Sequence, residues 1–257
     1  VVAFGFSGLA QSGGIKFNDS WQFKLDSANT PNDEGFAKAQ WRDLQLPHDW
    51  SIELNFDESS PSGNRGASLR GGTALYRKYF TLEKADKTKN IFIDYDGVYM
   101  NSTVWINGQK LGTRPFGYIS FRYELTPFLK FGGEKHELLV RVENQQPNSR
   151  WYSGSGIYRN VWLVKTGKVH IDHWGTYITT PVVSHESATV KIQTNVRNSM
   201  FKTVSPVLKS QIFDQEGKLL KTLSTSLSIS GSEVKSVEQE LTVDRPQLWS
   251  PETPNLY

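Results

Sequence analysis

Short alternating apolar segments, separated by turn signals, constrain the fold of this chain more than any other feature. Residues 91–95, 138–142 and 188–196 place apolar side chains at alternate positions, as strands with one buried face do. No long stretch has the 3.6-residue apolar period of an amphipathic helix. The pattern predicts an all-β fold.

The clearest turn signal is Asn107-Gly108, which lies between the apolar segment 104–106 and the segment 110–111. Both central positions of a tight hairpin turn favour a positive φ, which Asn and Gly tolerate. The dipeptide therefore predicts a hairpin, and a further strand is predicted over 75–80. Many short strands with turns between them favour a β-sandwich or jelly roll.

A domain boundary is predicted near residues 166–168, where the composition changes. Of the eight tryptophans, Trp174 and Trp249 lie beyond this point, in a region rich in Ser, Thr, Val and Lys. The segment 208–213 is followed by a turn and a returning strand, as in an immunoglobulin-like sandwich. We therefore expect a first β-sandwich domain over 11–166 and an immunoglobulin-like β-sandwich domain over 167–257.

Both ends of the sequence invite a prediction. Residues 1–10 are apolar and end in a small-x-small pattern, which predicts the remnant of a secretory signal peptide and a periplasmic or secreted protein. An ordinary first strand is the alternative. The sequence stops at Tyr257, where another strand is expected, so we predict a piece of a longer protein with an immunoglobulin-like domain truncated at its C-terminus.

Charge and composition argue against several classes of partner. The 29 basic and 26 acidic residues give a net charge of +3, too weak a field to predict binding to nucleic acid or an anionic membrane. No apolar run reaches the roughly 18 residues of a membrane-spanning helix. The chain has no cysteine, so disulfides and thiol chemistry are excluded.

The segment 149–163 combines aromatic rings, an arginine and glycines in a pattern typical of a tight loop leading into a strand. Arg150, Trp151 and Tyr152 are predicted at its entrance. An arginine fork beside flat apolar rings suits a sugar, which presents hydroxyls at its edges and C–H groups on its faces. A structural aromatic corner without a ligand explains the same spacing, so both interpretations stay open. From Ile157 the alternation predicts a strand.

No catalytic constellation is predicted within the chain. The carboxylate pairs Asp94/Asp96 and Asp57/Glu58 could serve glycosidic acid/base chemistry, although solvated turn acids explain them better. Ser155 lies between glycines but precedes a strand, whereas a nucleophile elbow joins a strand to a helix.

Two groups that contain histidine are further candidates. His170 and His173 lie on opposite faces of a predicted strand, so they cannot gather a zinc ion. His48 and Asp49 could hydrogen-bond a ligand, but bracing of a loop is favoured. We therefore predict neither catalytic nor metal-binding residues in this chain.

Motifs in a common order and spacing along residues 15–257 resemble the N-terminal part of glycoside hydrolase family 2, the group of β-galactosidases and β-glucuronidases. They are LPHDW at 46–50, GTALYRKYF at 72–80, DGV at 96–98 with VWING at 104–108, SGSGIYRNV at 153–161 and PQLWSPETPNLY at 246–257.

The resemblance implies a jelly-roll, galactose-binding-like domain, an immunoglobulin-like domain and then a TIM barrel. The barrel would supply two glutamates for a retaining mechanism, and neither lies in this chain. The chain alone is therefore predicted inactive and without a cofactor, while cofactors of the full-length enzyme are left open. It would be the non-catalytic N-terminal portion of an exo-β-glycosidase.

The implied partners are a β-linked oligosaccharide or glycoside and the protein's own barrel, with a homo-oligomer as an option. β-Galactosidase is the favoured specificity, and β-glucuronidase or β-mannosidase are alternatives. A free-standing carbohydrate-binding protein and a structural or adhesion sandwich are hypotheses of a different class.

The resemblance also implies that the loop before the glycines helps to wall the sugar pocket. The best-known family members carry an aspartate there, and counting back from Gly156 places Arg150 near that position. An arginine could favour an acidic sugar or pair with a barrel carboxylate. We predict Arg150, Trp151 and Tyr152 as the substrate-binding residues.

Overall fold

The computed structural model of this chain describes residues 14–25 and 40–257, together with the backbone of Val2–Phe4. These residues form strands and short 3-10 helices but no α-helix, which confirms the predicted all-β class. The strands are β1 (Val2–Phe4), β2 (Ile15–Lys16), β3 (Trp21–Leu25), β4 (Arg42–Leu44), β5 (Gly72–Thr81), β6 (Asn90–Tyr95), β7 (Ser102–Ile106), β8 (Gln109–Arg114), β9 (Phe121–Glu124), β10 (Lys135–Asn144), β11 (Val161–Thr166), β12 (Val169–Val183), β13 (Ser187–Asn198), β14 (Val207–Phe213), β15 (Leu219–Ser226) and β16 (Val234–Asp244). The 3-10 helices are Ser51–Glu53, Gly63–Gly66, Lys84–Thr88 and Thr126–Phe128.

The chain divides into two compact units. The first unit is Gly13–Lys165, and the second is Thr166–Tyr257 together with the N-terminal residues Val1–Ser12. Each unit has its own buried cluster of apolar side chains.

The first unit is a jelly-roll β-sandwich. One sheet has the order β4-β3-β5-β10-β7-β8, and the other has the order β2-β11-β6-β9. The long central pair β5 and β10 runs antiparallel from Gly72 opposite Asn144 to Thr81 opposite Lys135. Apolar side chains at alternate positions of these strands are buried, because successive side chains of a strand point to opposite faces. The fully buried members of this core include Trp21, Tyr76, Ile91, Ile93, Tyr95, Val104, Ile106, Leu138, Val140, Val142 and Val161.

The predicted hairpin is confirmed. Strands β7 and β8 pair with Ile106 opposite Gln109, and the two residues between them have φ values of 49° at Asn107 and 78° at Gly108. The sheet register here follows from a turn that the sequence specifies locally.

The second unit is an immunoglobulin-like sandwich with sheet orders β12-β13-β16 and β1-β14-β15. Among the described residues, its core includes Val196, Leu208, Leu227, Ile229 and Val237. The turn between β14 and β15 is held by Asp214, whose Oδ1 accepts hydrogen bonds from the backbone N–H groups of Glu216 at 3.1 Å and Lys218 at 2.8 Å.

The strand predicted from Ile157 begins later, at Val161. The backbone before it instead forms a single β-bridge between Gly156 and Tyr99, so this part of the prediction is wrong. The difference arises because Gly156 has φ +132°, and a left-handed residue interrupts a regular strand.

The predicted signal remnant, residues 1–10, lies outside the described residues except for Val2–Phe4. Those three residues pair antiparallel with β14, and the signal peptide stays a prediction. No helix in the described ranges is long and apolar enough to cross a membrane.

Candidate functional site

The loop of residues 149–156, here named the 149–156 loop, is anchored by hydrogen bonds from buried polar side chains. Asn144, the last residue of β10, donates Nδ2–H bonds to the carbonyl oxygen of Gly154 at 2.9 Å and to Ser155 Oγ at 2.6 Å. Ser51 Oγ lies 2.6 Å from the same Ser155 hydroxyl. Ser155 is fully buried, so its hydroxyl holds the loop against the fold.

Asp49 is the second anchor of the 149–156 loop. Its Oδ1 accepts backbone N–H bonds from Ser51 at 3.0 Å and Ser155 at 2.8 Å, and its Oδ2 accepts the hydroxyl of Tyr152. Burial, together with the bond to this carboxylate, raises the pKa of Tyr152, since both disfavour a phenolate. Tyr152 is therefore a neutral, oriented donor.

The glycines of the loop are required by close approaches. A Cβ on Gly156 would lie 2.4 Å from Tyr76 Oη and 2.6 Å from the carbonyl oxygen of His48, and a Cβ on Gly154 would lie 3.0 Å from Asp49 Oδ2. Both residues have positive φ, 75° at Gly154 and 132° at Gly156, which glycine adopts without strain.

His48, the chain neighbour of Asp49, braces this loop through hydrogen bonds, which is the role that the sequence analysis favoured. Its Nδ1 shares a 2.8 Å hydrogen bond with Tyr76 Oη, and its Nε2 lies 3.1 Å from Glu53 Oε1. Arg42 pairs with the same glutamate. Burial lowers the pKa of His48, against the opposing pull of the Glu53 carboxylate, so the imidazole is neutral near pH 7.

The predicted substrate-binding residues all lie on the exposed rim of this braced loop. Trp151 is 72% exposed and Tyr152 is 38% exposed. Arg150 is also exposed, and none of the hydrogen bonds or ion pairs among the described residues involves its side chain. The loop thus presents to solvent two aromatic faces and a guanidinium that has no partner among the described residues.

The candidate acid/base carboxylates of β6 and the following turn accept hydrogen bonds from other side chains. Arg122 donates to Asp94 through Nε at 2.6 Å and Nη2 at 2.7 Å, while Asp96 Oδ2 accepts the indole N–H of Trp162 at 2.9 Å. Asp94 is thus an ion-paired residue of β6 and not the solvated turn acid that the sequence favoured.

Asp57 is held by hydrogen bonds from Ser59 and an ion pair with Arg70. These contacts lower the pKa of Asp57 to about 2, so it is no proton donor near neutral pH.

The histidine group of β12 serves structure as well. Arg197 forms a bidentate ion pair with Asp172, through Nε at 3.0 Å and Nη2 at 2.8 Å. The ring of His173 stacks on that of Trp174, with the centroids 4.4 Å apart. Across the part of the chain that the structure describes, no group of three or more His, Cys, Asp or Glu side chains could hold a metal ion.

Sequence reasoning missed most of the anchors. Asn144 and Ser51 carry no motif, and each meets Ser155 only through the folded sheets. The one local signal was the histidine-aspartate pair at 48–49.

These observations define a protein with two β-sandwich units, the first of which carries a hydrogen-bonded loop with exposed aromatic side chains. The profile described as "Glycosyl hydrolases family 2, sugar binding domain" matches residues 15–167, and that described as "Glycosyl hydrolases family 2" matches residues 169–257. The chain belongs to glycosyl hydrolases family 2.

Individual relatives agree with this assignment. The β-galactosidase BoGH2A of Bacteroides ovatus is 49% identical over 94% of this chain and 28% of its own length. A family 2 member from Bacteroides cellulosilyticus superposes with a TM-score of 0.85 at 34% identity, over 94% of this chain and 32% of that one. The β-glucuronidase of Bacteroides uniformis superposes with a TM-score of 0.81 at 30% identity, over 95% of this chain and 29% of that one.

The chain therefore spans less than a third of the length of these relatives.

Proposed function

We propose that this chain is the sugar-binding and immunoglobulin-like portion of a retaining exo-β-glycosidase, with β-galactosidase as the favoured activity. The observation that carries the proposal is the 149–156 loop, which is anchored through Asp49 and Ser155 yet leaves Arg150 and Trp151 exposed. Support for galactose as the substrate comes from the B. ovatus β-galactosidase, at 49% identity.

The role proposed for the loop is to form one wall of the sugar pocket and to orient the substrate. Trp151 offers a flat apolar face to the C–H side of a sugar ring. Arg150 can donate paired N–H bonds to adjacent hydroxyls. Because the loop is already ordered, its contacts carry little entropic cost on binding.

The bond-breaking carboxylates are proposed to come from a barrel domain of the full-length protein. A retaining mechanism needs two carboxyl groups roughly 5–5.5 Å apart, one ionised and one protonated. The candidate pairs of this chain do not qualify, since their aspartates are already held by other side chains of the fold. Asp94 and Asp57 form ion pairs with arginines, and Asp96 accepts the indole N–H of Trp162. A sandwich portion of this kind scaffolds the pocket without performing the chemistry.

The test is turnover by the full-length enzyme of nitrophenyl β-galactoside, β-glucuronide and β-mannoside. We expect the highest kcat/KM on the galactoside. Arg150→Ala should lower that kcat/KM by a factor that corresponds to about 1–3 kcal/mol of activation free energy, the cost of an unpaired charged hydrogen bond. Arg245→Ala removes an exposed arginine of the second unit and should leave it unchanged. Absence of turnover on every β-glycoside would sink the proposal in favour of a carbohydrate-binding or structural protein.

β-Glucuronidase is the second candidate, and one observation favours it. Arg150 is an exposed guanidinium whose side chain forms no ion pair with other described residues, a suitable partner for a carboxylate at the edge of a sugar. If glucuronide is the better substrate, Arg150→Lys should lose most of the preference, because an ammonium cannot make the bidentate contact. An unchanged preference would assign carboxylate recognition elsewhere.

We also propose a periplasmic or secreted location. The apolar residues 1–10 with their small-x-small ending support it,. Fractionation of cells carrying the full-length gene tests this, and enzyme found in the cytoplasm alone would overturn it.

A further inference from the structure

A second exposed aromatic surface lies on the loop of residues 115–120, between β8 and β9. Phe116 is 55% exposed and Tyr118 is 54% exposed. Their rings meet edge to face with centroids 5.7 Å apart. We name this pair the Phe116–Tyr118 platform.

The platform is held rigidly from beneath. A Cβ on Gly117 would lie 2.3 Å from the ring of Tyr99, so the loop rests directly on that ring. The Tyr158 hydroxyl donates to the carbonyl oxygen of Gly117 at 2.7 Å, and the backbone N–H of Asn101 donates to the carbonyl oxygen of Pro115 at 3.2 Å. Rings fixed in this way bind a ligand without first losing conformational freedom.

Tyr99 also links the platform to the 149–156 loop. Its backbone exchanges two hydrogen bonds of 2.9 Å with Gly156, and its hydroxyl donates to Asn148 Oδ1 at 3.2 Å. The same ring lies 5.1 Å from that of Tyr118. One buried tyrosine therefore fixes the position of the platform relative to the loop that carries Arg150.

We propose that the Phe116–Tyr118 platform binds the part of a β-linked oligosaccharide that extends beyond the sugar at the 149–156 loop. This rests on the proposed function and deepens it, since it makes an oligosaccharide the substrate class. Exposed neutral rings suit the C–H face of a pyranose. The Tyr118 hydroxyl is hydrogen-bonded to Tyr99 and has further lone-pair capacity to accept a sugar hydroxyl.

The experiment compares two substrates in the full-length enzyme. One is the nitrophenyl β-glycoside of the preferred sugar, and the other is a trisaccharide with the same sugar at its non-reducing end. Phe116→Ala/Tyr118→Ala should lower kcat/KM on the trisaccharide roughly tenfold, mainly by raising KM. The small nitrophenyl substrate should be affected less than about twofold. Phe201→Ala removes a ring of the second unit that is 98% exposed and serves as the matched control.

The other outcomes overturn the inference in distinguishable ways. An equal loss on both substrates with a lowered melting temperature would show that the rings pack against another part of the enzyme. Unchanged kinetics on both substrates would show that the rings contact nothing in the reaction. A wild-type enzyme that turns over neither substrate would refute the proposed function, and this inference with it.

Discussion

At the scale of single residues, Gly156 is the position of the 149–156 loop that is least able to accept a side chain. Its φ of 132° and the contacts a Cβ would make, 2.4 Å from Tyr76 Oη and 2.6 Å from the carbonyl oxygen of His48, leave no room for a side chain. Gly156→Ala should lower the free energy of unfolding by about 3 kcal/mol or more, because strain and a buried clash add together. Urea denaturation followed by tryptophan fluorescence measures this.

The matched control is Gly108→Ala in the β7–β8 hairpin. Gly108 also has a positive φ, 78°, but nothing lies within 4 Å of its would-be Cβ. Only the left-handed backbone penalty remains, about 1 kcal/mol. Equal losses in the two variants would contradict the assignment of the larger cost to the clash at Gly156.

At the scale of elements, the cluster of Arg42, His48, Glu53 and Tyr76 connects β4, the 3-10 helix Ser51–Glu53 and β5. The folded-state pKa of His48 lies below its ordinary value because of burial. The unfolded chain therefore binds the proton more tightly, and the stability linked to His48 is present above about pH 6.5 and lost as the pH falls toward the folded pKa.

We expect the wild type to lose more free energy of unfolding between about pH 7.5 and 5.5 than His48→Gln does. The difference between the two proteins isolates His48, since all other residues are the same in both. A wild type that gains stability relative to the variant on acidification would contradict this prediction. It would show that the Glu53 carboxylate outweighs burial.

The elements that could be predicted are those whose signals are local. The Asn107-Gly108 turn specified the β7–β8 hairpin, and alternation found the buried faces of β6 and β10. The start of β11 was misplaced because Gly156 takes its conformation from Tyr99 and Tyr76, which are remote in sequence. For the same reason, the bonds from Asp49 and Asn144 that fasten the candidate site could not be anticipated.

At the scale of the whole molecule, the two units differ in the size of their cores. Among the described residues, the first unit buries Trp21, Trp50 and Tyr76 with many aliphatic side chains, whereas the second buries a smaller aliphatic cluster around Val196 and Leu208. Since buried apolar area is the main source of stability, the first unit should unfold at the higher temperature. Order and spacing of motifs predicted both units, but composition gave no measure of their relative stability.

Differential scanning calorimetry of the chain should therefore show two transitions, which a matched pair of substitutions assigns. Leu138 in β10 and Leu208 in β14 are both 0% exposed, and truncation of a buried leucine to alanine costs about 2–5 kcal/mol. Leu138→Ala should lower the upper transition alone, and Leu208→Ala the lower one alone, because each side chain packs within a single core. A single transition that both variants lower equally would mean that the two cores unfold as one cooperative unit.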